Sequence, residues 1–276
     1  MSVLKFIRKT FEPQPKVGLA LGSGGAKGFV HIGVIKILIE NNIPLNFISG
    51  SSIGSVIGAY FALNKEVNLL EKKILSLSKK DIFKFISLIN LKKGLINDDK
   101  IKDFILELVN NKSFSDTRIP LKILATDLEK GEEVILDKGK LIDSIMASIS
   151  LPAIFPVKKL NNRILVDGGL LNPTPVDVVK KMGADIIIAV DLSEKGKVEI
   201  KNPNPIRVLV RCFDILRDHT VKSRIKNIEN LVIIHPKFSK RGVDTFNFFE
   251  AKKLIKLGED TTKQSLPEIK ELLENS

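Results

Sequence analysis

Two glycine-rich segments, each lying between a short apolar run and an apolar helix, constrain this chain more than any other feature. Lys16-Val17-Gly18-Leu19-Ala20-Leu21 reads as a buried strand that runs straight into Gly22-Ser23-Gly24-Gly25-Ala26-Lys27-Gly28. A helix follows, with Val30, Val34, Ile35, Leu38 and Ile39 at helical spacing, and it ends near Asn41-Asn42. Asn46-Phe47-Ile48, after Pro44, is the next strand. Ser49-Gly50-Ser51-Ser52-Ile53-Gly54-Ser55 leads from it into a helix of small and apolar residues, Val56 to Leu63. The order strand, glycine loop, helix, strand, tight turn, helix predicts a three-layer α/β/α sandwich around a mostly parallel sheet.

The rest of the chain continues in this style. Residues 65 to 112 read as helical, with Val67, Leu70, Ile74 and Leu77 on one face and a second helix opened by Asp98-Asp99. Leu121 to Thr126 is a strand, paired nearby by Glu132 to Leu136 after the turn at Lys130-Gly131. Leu141 to Ser148 is a short helix, and Arg163 to Val166 a strand that delivers Asp167-Gly168-Gly169 at its end. Helix Val176 to Met182 and strand Asp185 to Val190 make a further parallel unit. The tail reads as a helix from Pro205, a strand Leu231 to His235, and helices Thr245 to Leu257 and Glu259 to Leu273. With 276 residues and 43% apolar content the chain can bury a full core. We expect one domain: a basic leader at 1–15, a core at 16–200 and a C-terminal α-rich extension at 201–276, with a surface loop at Glu199 to Pro205.

Several function classes fall away on composition. Lys, Asp or Asn interrupts every apolar stretch well short of the roughly 20 residues a spanning helix needs. Residues 1–9 lack the apolar core and cleavage site of a signal peptide, so the expectation is a cytoplasmic protein. One cysteine, Cys212, excludes an internal disulfide, and its apolar neighbours suggest a buried structural thiol. With only His31, His219 and His235, no Cys/His cluster has metal-site spacing, and neither a metal nor a cofactor is expected. The net charge of +12 suits nucleic acid, an anionic membrane surface, or a lysine-rich chain with no partner behind it. Without Trp, and with Tyr60 as the only tyrosine, nucleic acid is the weakest of the three.

Gly50-Ser51-Ser52-Ile53-Gly54 matches a nucleophile elbow, in which a strand turns abruptly into a helix and the central serine is held exposed and strained. A serine needs a base and an anion site. The loop at Gly22 to Gly28 lacks the acid about 20 residues on that a dinucleotide site requires, and it lacks the Gly-Lys-Ser/Thr of a phosphate loop. An oxyanion hole of Gly24, Gly25 and Ala26 amides fits better. As bases, His219 lies in a helical run and His235 ends a strand before Pro236. His31 precedes Ser52 and can only support the loop. The remaining candidate is Asp167, at the end of its strand.

Gly22 to Gly28, Gly50 to Gly54, Ala147-Ser148 through Pro152 and Phe155-Pro156, and Asp167-Gly168-Gly169 stand in an order that resembles the patatin-like phospholipase family, across residues 16 to 192. The resemblance implies a Ser-Asp dyad without a catalytic histidine, with Ser52 as nucleophile, Asp167 as base, and Gly24, Gly25 and Ala26 donating to the oxyanion. Gly22, Lys27, Gly28, Gly50, Gly54, Gly168 and Gly169 would be the supporting motif residues. Lys27 departs from the arginine usual in that loop and lacks its planar fork of donors. The expected activity is hydrolysis of lipid acyl esters through an acyl-enzyme. The alternatives are a non-catalytic scaffold that binds acyl chains or a protein partner and, more distantly, a dinucleotide-binding protein. Head group, acyl length and oligomeric state are not legible. Residues 79–93, with Ile82, Phe83, Phe85 and Ile86 between lysines, read either as a core-packing helix or as a cap touching anionic lipid at the membrane's inner face.

Overall fold

The computed structural model describes residues 14–78, 80, 98–194, 205–238 and 247–275. The expected leader (1–15, apart from its last two residues), most of the segment read as a lipid-touching cap (79–93), and the surface loop near residue 200 lie outside them.

An eight-stranded sheet forms the centre, in the order β5-β6-β3-β2-β1-β7-β8 with β4 added to β3. The strands are β1 (Val17–Leu21), β2 (Phe47–Ser51), β3 (Leu121–Asp127), β4 (Glu132–Leu136), β5 (Lys158–Leu160), β6 (Arg163–Asp167), β7 (Ile186–Val190) and β8 (Leu231–Ile234). The pairs β1–β2, β1–β7, β2–β3 and β7–β8 are parallel. Alternation along each strand divides the core in two. Val17, Leu19, Leu21, Ile186, Ile188 and Val190 face the larger apolar cluster, while Ala20, Ile187 and Ala189 face a smaller one under α6 (Val176–Lys181). Helices α1 (Val30–Glu40), α2 (Ile53–Asn64), α3 (Asn68–Ser76), α4 (Asp99–Val109) and α5 (Leu141–Ser148) contribute to the larger cluster. Two helices follow in the tail, α7 (Pro205–Ile225) and α8 (Ala251–Asn275). The three expected layers are present.

The position of β6 matters most for the site. β4 occupies one edge of β3 along residues 123–127. On the other edge β2 pairs with 121–124 and β6 with 125–127, so β2 and β6 lie end to end. β2 runs parallel to β3 and β6 runs antiparallel, so their C-terminal ends meet. Ser51 stands opposite Leu124 and Asp167 opposite Ala125, at consecutive positions of β3. The sheet itself therefore carries the elbow serine and Asp167 to one point.

Two expectations are corrected. Helix Thr245–Leu257 followed by a break and Glu259–Leu273 is instead a single helix, α8, preceded by a short turn at Phe248–Glu250. Gly258 is not a helix end; it lies where α8 crosses α1. A Cβ there would sit 2.2 Å from Val30 O, and one on Gly33 of α1 would sit 2.0 Å from Ile255 O. Both glycines let two backbones touch, and for Gly258 this cause lies on the other helix, beyond what a local reading of the tail can see. Cys212 is exposed rather than buried. Helical spacing places it with Val208, Ile215 and Leu216 on the outer face of α7, all of them exposed.

Candidate active site

β2 ends at Ser51 and α2 begins at Ile53, which leaves Ser52 alone to make the turn. Its φ of 54° and ψ of −125° lie outside the regions an L-residue favours, at a cost of roughly 1–3 kcal/mol. The surroundings hold it there. The Ser52 amide donates to Ser148 Oγ at 2.9 Å, and its carbonyl accepts from the Ser55 hydroxyl at 2.6 Å. Gly54 lets the helix start against β1, because a Cβ there would lie 2.1 Å from Leu21 O. The hydroxyl of Ser52 donates to Asp167 Oδ2 at 2.6 Å.

Asp167 is 4% exposed and is positioned from several directions. Its Oδ1 accepts from the Gly169 amide at 2.7 Å, its own amide donates to Ser150 O at 2.9 Å, and its carbonyl accepts from the Thr126 hydroxyl at 3.0 Å. Burial pushes its carboxyl up to about 6, against the Ser52 hydroxyl, the Gly169 amide and the Arg217 guanidinium, which pull it down. A carboxyl so placed is ionised at neutral pH yet close enough to its midpoint to accept a proton.

The glycine loop lies beside this pair. Its backbone is tied on several sides: Gly22 N to Val190 O at 3.1 Å, Ser23 N to Pro173 O at 2.8 Å, and His31 Nε2 to Gly22 O at 2.7 Å. Gly25 to Phe29 form a tight helical turn, and the first amides of such a turn have no partners within it. Gly24 and Gly25 lie on the wall of the cavity described below; Ala26 is 1% exposed and not on that wall. The Lys27 side chain is fully buried, with Nζ 3.1 Å from Glu194 and 5.5 Å from the centre of the Phe238 ring. Burial lowers its pKa; Asp214 and Glu194 support the charged form, and Arg217 opposes it. The lysine thus anchors the loop through an ion pair and an aromatic face in place of an arginine fork.

A cavity of about 210 Å³ opens over Ser52 and Asp167. Its wall is overwhelmingly apolar, with Val56 and Ile57 of α2, Ile74 of α3, Ile105 and Leu108 of α4, and Phe213 of α7 among its residues. Helices α3 and α4 flank the segment read as a cap, and both line the cavity. No histidine lines it. His31 holds the loop and is kept neutral by burial, its pKa lowered to about 4; His235 bonds to Asp191 O at 3.1 Å; His219 is exposed on α7. Among the described residues no group of three His, Cys, Asp or Glu side chains could hold a metal ion, and no helix is long and apolar enough to cross a membrane.

Three participants escaped the sequence. Ser148 was legible as part of a motif but not as the acceptor for the Ser52 amide. Phe213 and Arg217 reach the cavity from α7, about 160 residues beyond the elbow. Nothing in their local sequence marks them.

The description patatin-like phospholipase matches residues 19–180 of the chain. An uncharacterized NTE family protein of Mycobacterium tuberculosis is 35% identical over 192 residues, which cover 69% of this chain and 53% of the relative. The neuropathy target esterase sws of Drosophila melanogaster is 31% identical over 191 residues, 67% of this chain and 13% of that protein. The chain thus spans about half, or much less, of the curated relatives it matches. Among solved structures, VipD from Legionella pneumophila superposes with a TM-score of 0.54 at 15% identity, covering 95% of this chain and 67% of that one, a likeness of fold. The family match takes in the glycine loop, the elbow and the Asp-Gly-Gly turn whose residues converge on one cavity, and by it this chain belongs to the patatin-like phospholipases.

Proposed function

We infer that the protein is a serine acyl hydrolase that cleaves lipid esters through Ser52 and Asp167. The single observation that carries this reading is the 2.6 Å hydrogen bond from the strained Ser52 hydroxyl to Asp167, set in the wall of an apolar cavity.

Asp167 takes the Ser52 proton as Oγ attacks the ester carbonyl. The negative charge passes to the carbonyl oxygen, where the Gly24 and Gly25 amides, which lie on the cavity wall, and the N-terminal end of α2 stabilise it. The protonated Asp167 then gives its proton to the departing alcohol as the C–O bond breaks, leaving an acyl-enzyme. Water, deprotonated by the same carboxylate, releases the fatty acid and restores the Ser52 hydroxyl. The apolar wall holds the acyl chain and excludes bulk water, which strengthens each of these charge interactions. Patatin-family membership and the NTE family relatives support the lipid-hydrolase class.

The test is hydrolysis of short- and long-chain p-nitrophenyl esters beside defined phospholipids, with Ser52→Ala as the blank. Turnover is expected in the wild type and lost in Ser52→Ala and in Asp167→Asn while both variants stay folded. Full activity in either variant would end the dyad reading.

A further inference from the structure

A planar trans peptide carries its C=O and N–H in opposite directions, so a bond that fixes one end aims the other. The glycine loop holds two successive peptide units differently. The Gly22–Ser23 unit is held at both ends, by His31 Nε2 donating to Gly22 O at 2.7 Å and by Ser23 N donating to Pro173 O at 2.8 Å. The Ser23–Gly24 unit is held at one end. Arg217 Nη2 donates to Ser23 O at 3.0 Å, and among the described residues the Gly24 N–H has no acceptor. Gly24 lies on the cavity wall. With no Cβ on Gly24 this unit can rotate about its flanking bonds at little cost, so the direction of its N–H depends on what grips the carbonyl.

Arg217 is held so as to keep that carbonyl still. Its side chain is 11% exposed, and its Nη1 lies 3.1 Å from Oδ1 of Asp214, one turn earlier on α7 and 9% exposed. A planar guanidinium gripped on one arm by a carboxylate presents its other arm in a fixed direction. Asp214 also supports the charge of the buried Lys27. One turn of α7 therefore acts on the loop on both sides of the Gly24 and Gly25 amides. Arg217 itself lines the cavity, and its charge reaches Asp167. It lies outside the residues 19–180 that the family description matches, so this support comes from the C-terminal part of the chain.

We propose that Arg217 is a positioning residue of the oxyanion hole: by gripping Ser23 O it aims the Gly24 amide at the oxygen that becomes charged when Ser52 attacks. The role rests on the acyl-hydrolase reading and deepens it, because it names what keeps the donor in place. An aimed donor matters most in the transition state, when the oxygen carries its charge. Binding of the ester along the apolar wall does not depend on it. Losing the aim therefore lowers kcat and leaves KM nearly unchanged.

The experiment measures kcat and KM for p-nitrophenyl octanoate, a neutral ester, on both sides of pH 6 in the wild type, Arg217→Met, Arg217→Lys and Asp214→Asn. Arg217→Met is expected to lower kcat by about tenfold to hundredfold, with KM within about twofold of wild type. Asp214→Asn leaves the guanidinium in place without its anchor and should lower kcat by a smaller factor. Arg217→Lys, which keeps the charge and a donor for Ser23 O, should regain most of the loss. The Ser52 hydroxyl, the Gly169 amide and Arg217 act against burial on the Asp167 carboxyl, and Arg217 is the charged group among these three. The apparent pKa of kcat/KM should therefore rise above 6 in Arg217→Met and stay near 6 in Arg217→Lys, a difference that a brace for the fold would not produce. A wild-type kcat in Arg217→Met, or a rise in KM at unchanged kcat, would overturn the proposal.

A second readout needs no turnover. Ser-Gly pairs occur at Ser23-Gly24 and Ser49-Gly50 alone, so carbonyl-labelled serine combined with nitrogen-labelled glycine isolates two amide NMR signals. In Arg217→Met and Asp214→Asn the Gly24 signal should broaden or split while Gly50 stays sharp. An unmoved Gly24 signal, or two signals disturbed alike, rejects the aim. If the wild type neither cleaves the ester nor takes a fluorophosphonate on Ser52, the hydrolase reading has failed on its own, and the Gly24 signal still decides whether Arg217 holds the peptide. If Arg217→Met does not fold, Asp214→Asn carries both tests.

Discussion

Replacing Asp167 by Asn should stabilise the folded protein above pH 6 while stopping turnover. The carboxyl titrates near 3.8 when exposed, and burial lifts it to about 6 in the fold. An acid with a raised pKa favours the folded state when protonated. Its contribution is therefore fully present below pH 3.8 and lost as pH rises through about 6. The difference between the exposed and buried carboxyl corresponds to roughly 3 kcal/mol. Asn resembles the neutral acid in shape and removes the buried charge. Its Oδ1 can still accept from Gly169 N, which lies 2.7 Å from Asp167 Oδ1. Urea denaturation at pH 8 should therefore show Asp167→Asn more stable than the wild type by up to about 3 kcal/mol. At pH 4 the difference should shrink toward zero. In the wild type, kcat/KM on a neutral ester should rise through an apparent pKa near 6 as the base ionises. A variant less stable than the wild type at pH 8, or a stability difference independent of pH, would refute the claim that a buried charge is held here for chemistry.

Other consequences are checked by similar means. Gly54→Ala places a methyl group 2.1 Å from Leu21 O, so the start of α2 must move; a loss of about 1–3 kcal/mol in urea and a more than tenfold fall in kcat/KM are expected. Ser148→Ala strips the acceptor from the half-buried Ser52 amide, which should cost up to roughly 1–3 kcal/mol and lower kcat more than it raises KM. His31 should show no NMR titration step near 6.5, because burial holds its pKa at about 4. The stability it contributes is present above 6.5 and declines as pH falls toward 4.

What the sequence revealed and what it hid follow from the range of the forces involved. The glycine loop, the elbow and the Asp-Gly-Gly turn were legible because a chain needs specific residues at a strained turn or a close approach, and those needs are local. The convergence of Ser52 and Asp167 was not local. It depends on β6 running antiparallel along the edge that β2 vacates after Leu124. One signal for that was available: β5 and β6 are joined by Asn161-Asn162, both with positive φ (50° and 57°), the residues a tight hairpin turn favours. The tail was split into two helices between Leu257 and Glu259 because the reason for Gly258 is the backbone of α1 on the other side of the contact. Cys212 misled because its neighbours in sequence are apolar, although helical periodicity groups it with the exposed Val208, Ile215 and Leu216. Arg217 carried no signal at all, since its partners Ser23 and Asp167 are 194 and 50 residues away along the chain.

Fluorophosphonate labelling followed by peptide mass analysis tests the central claim most directly. Such a probe modifies a serine only when a base activates its hydroxyl. One phosphonyl group per chain, on the peptide containing Ser52, is expected in the wild type, with none in Ser52→Ala and strongly slowed labelling in Asp167→Asn. An unlabelled wild type, or a label that persists in Ser52→Ala, would contradict the account.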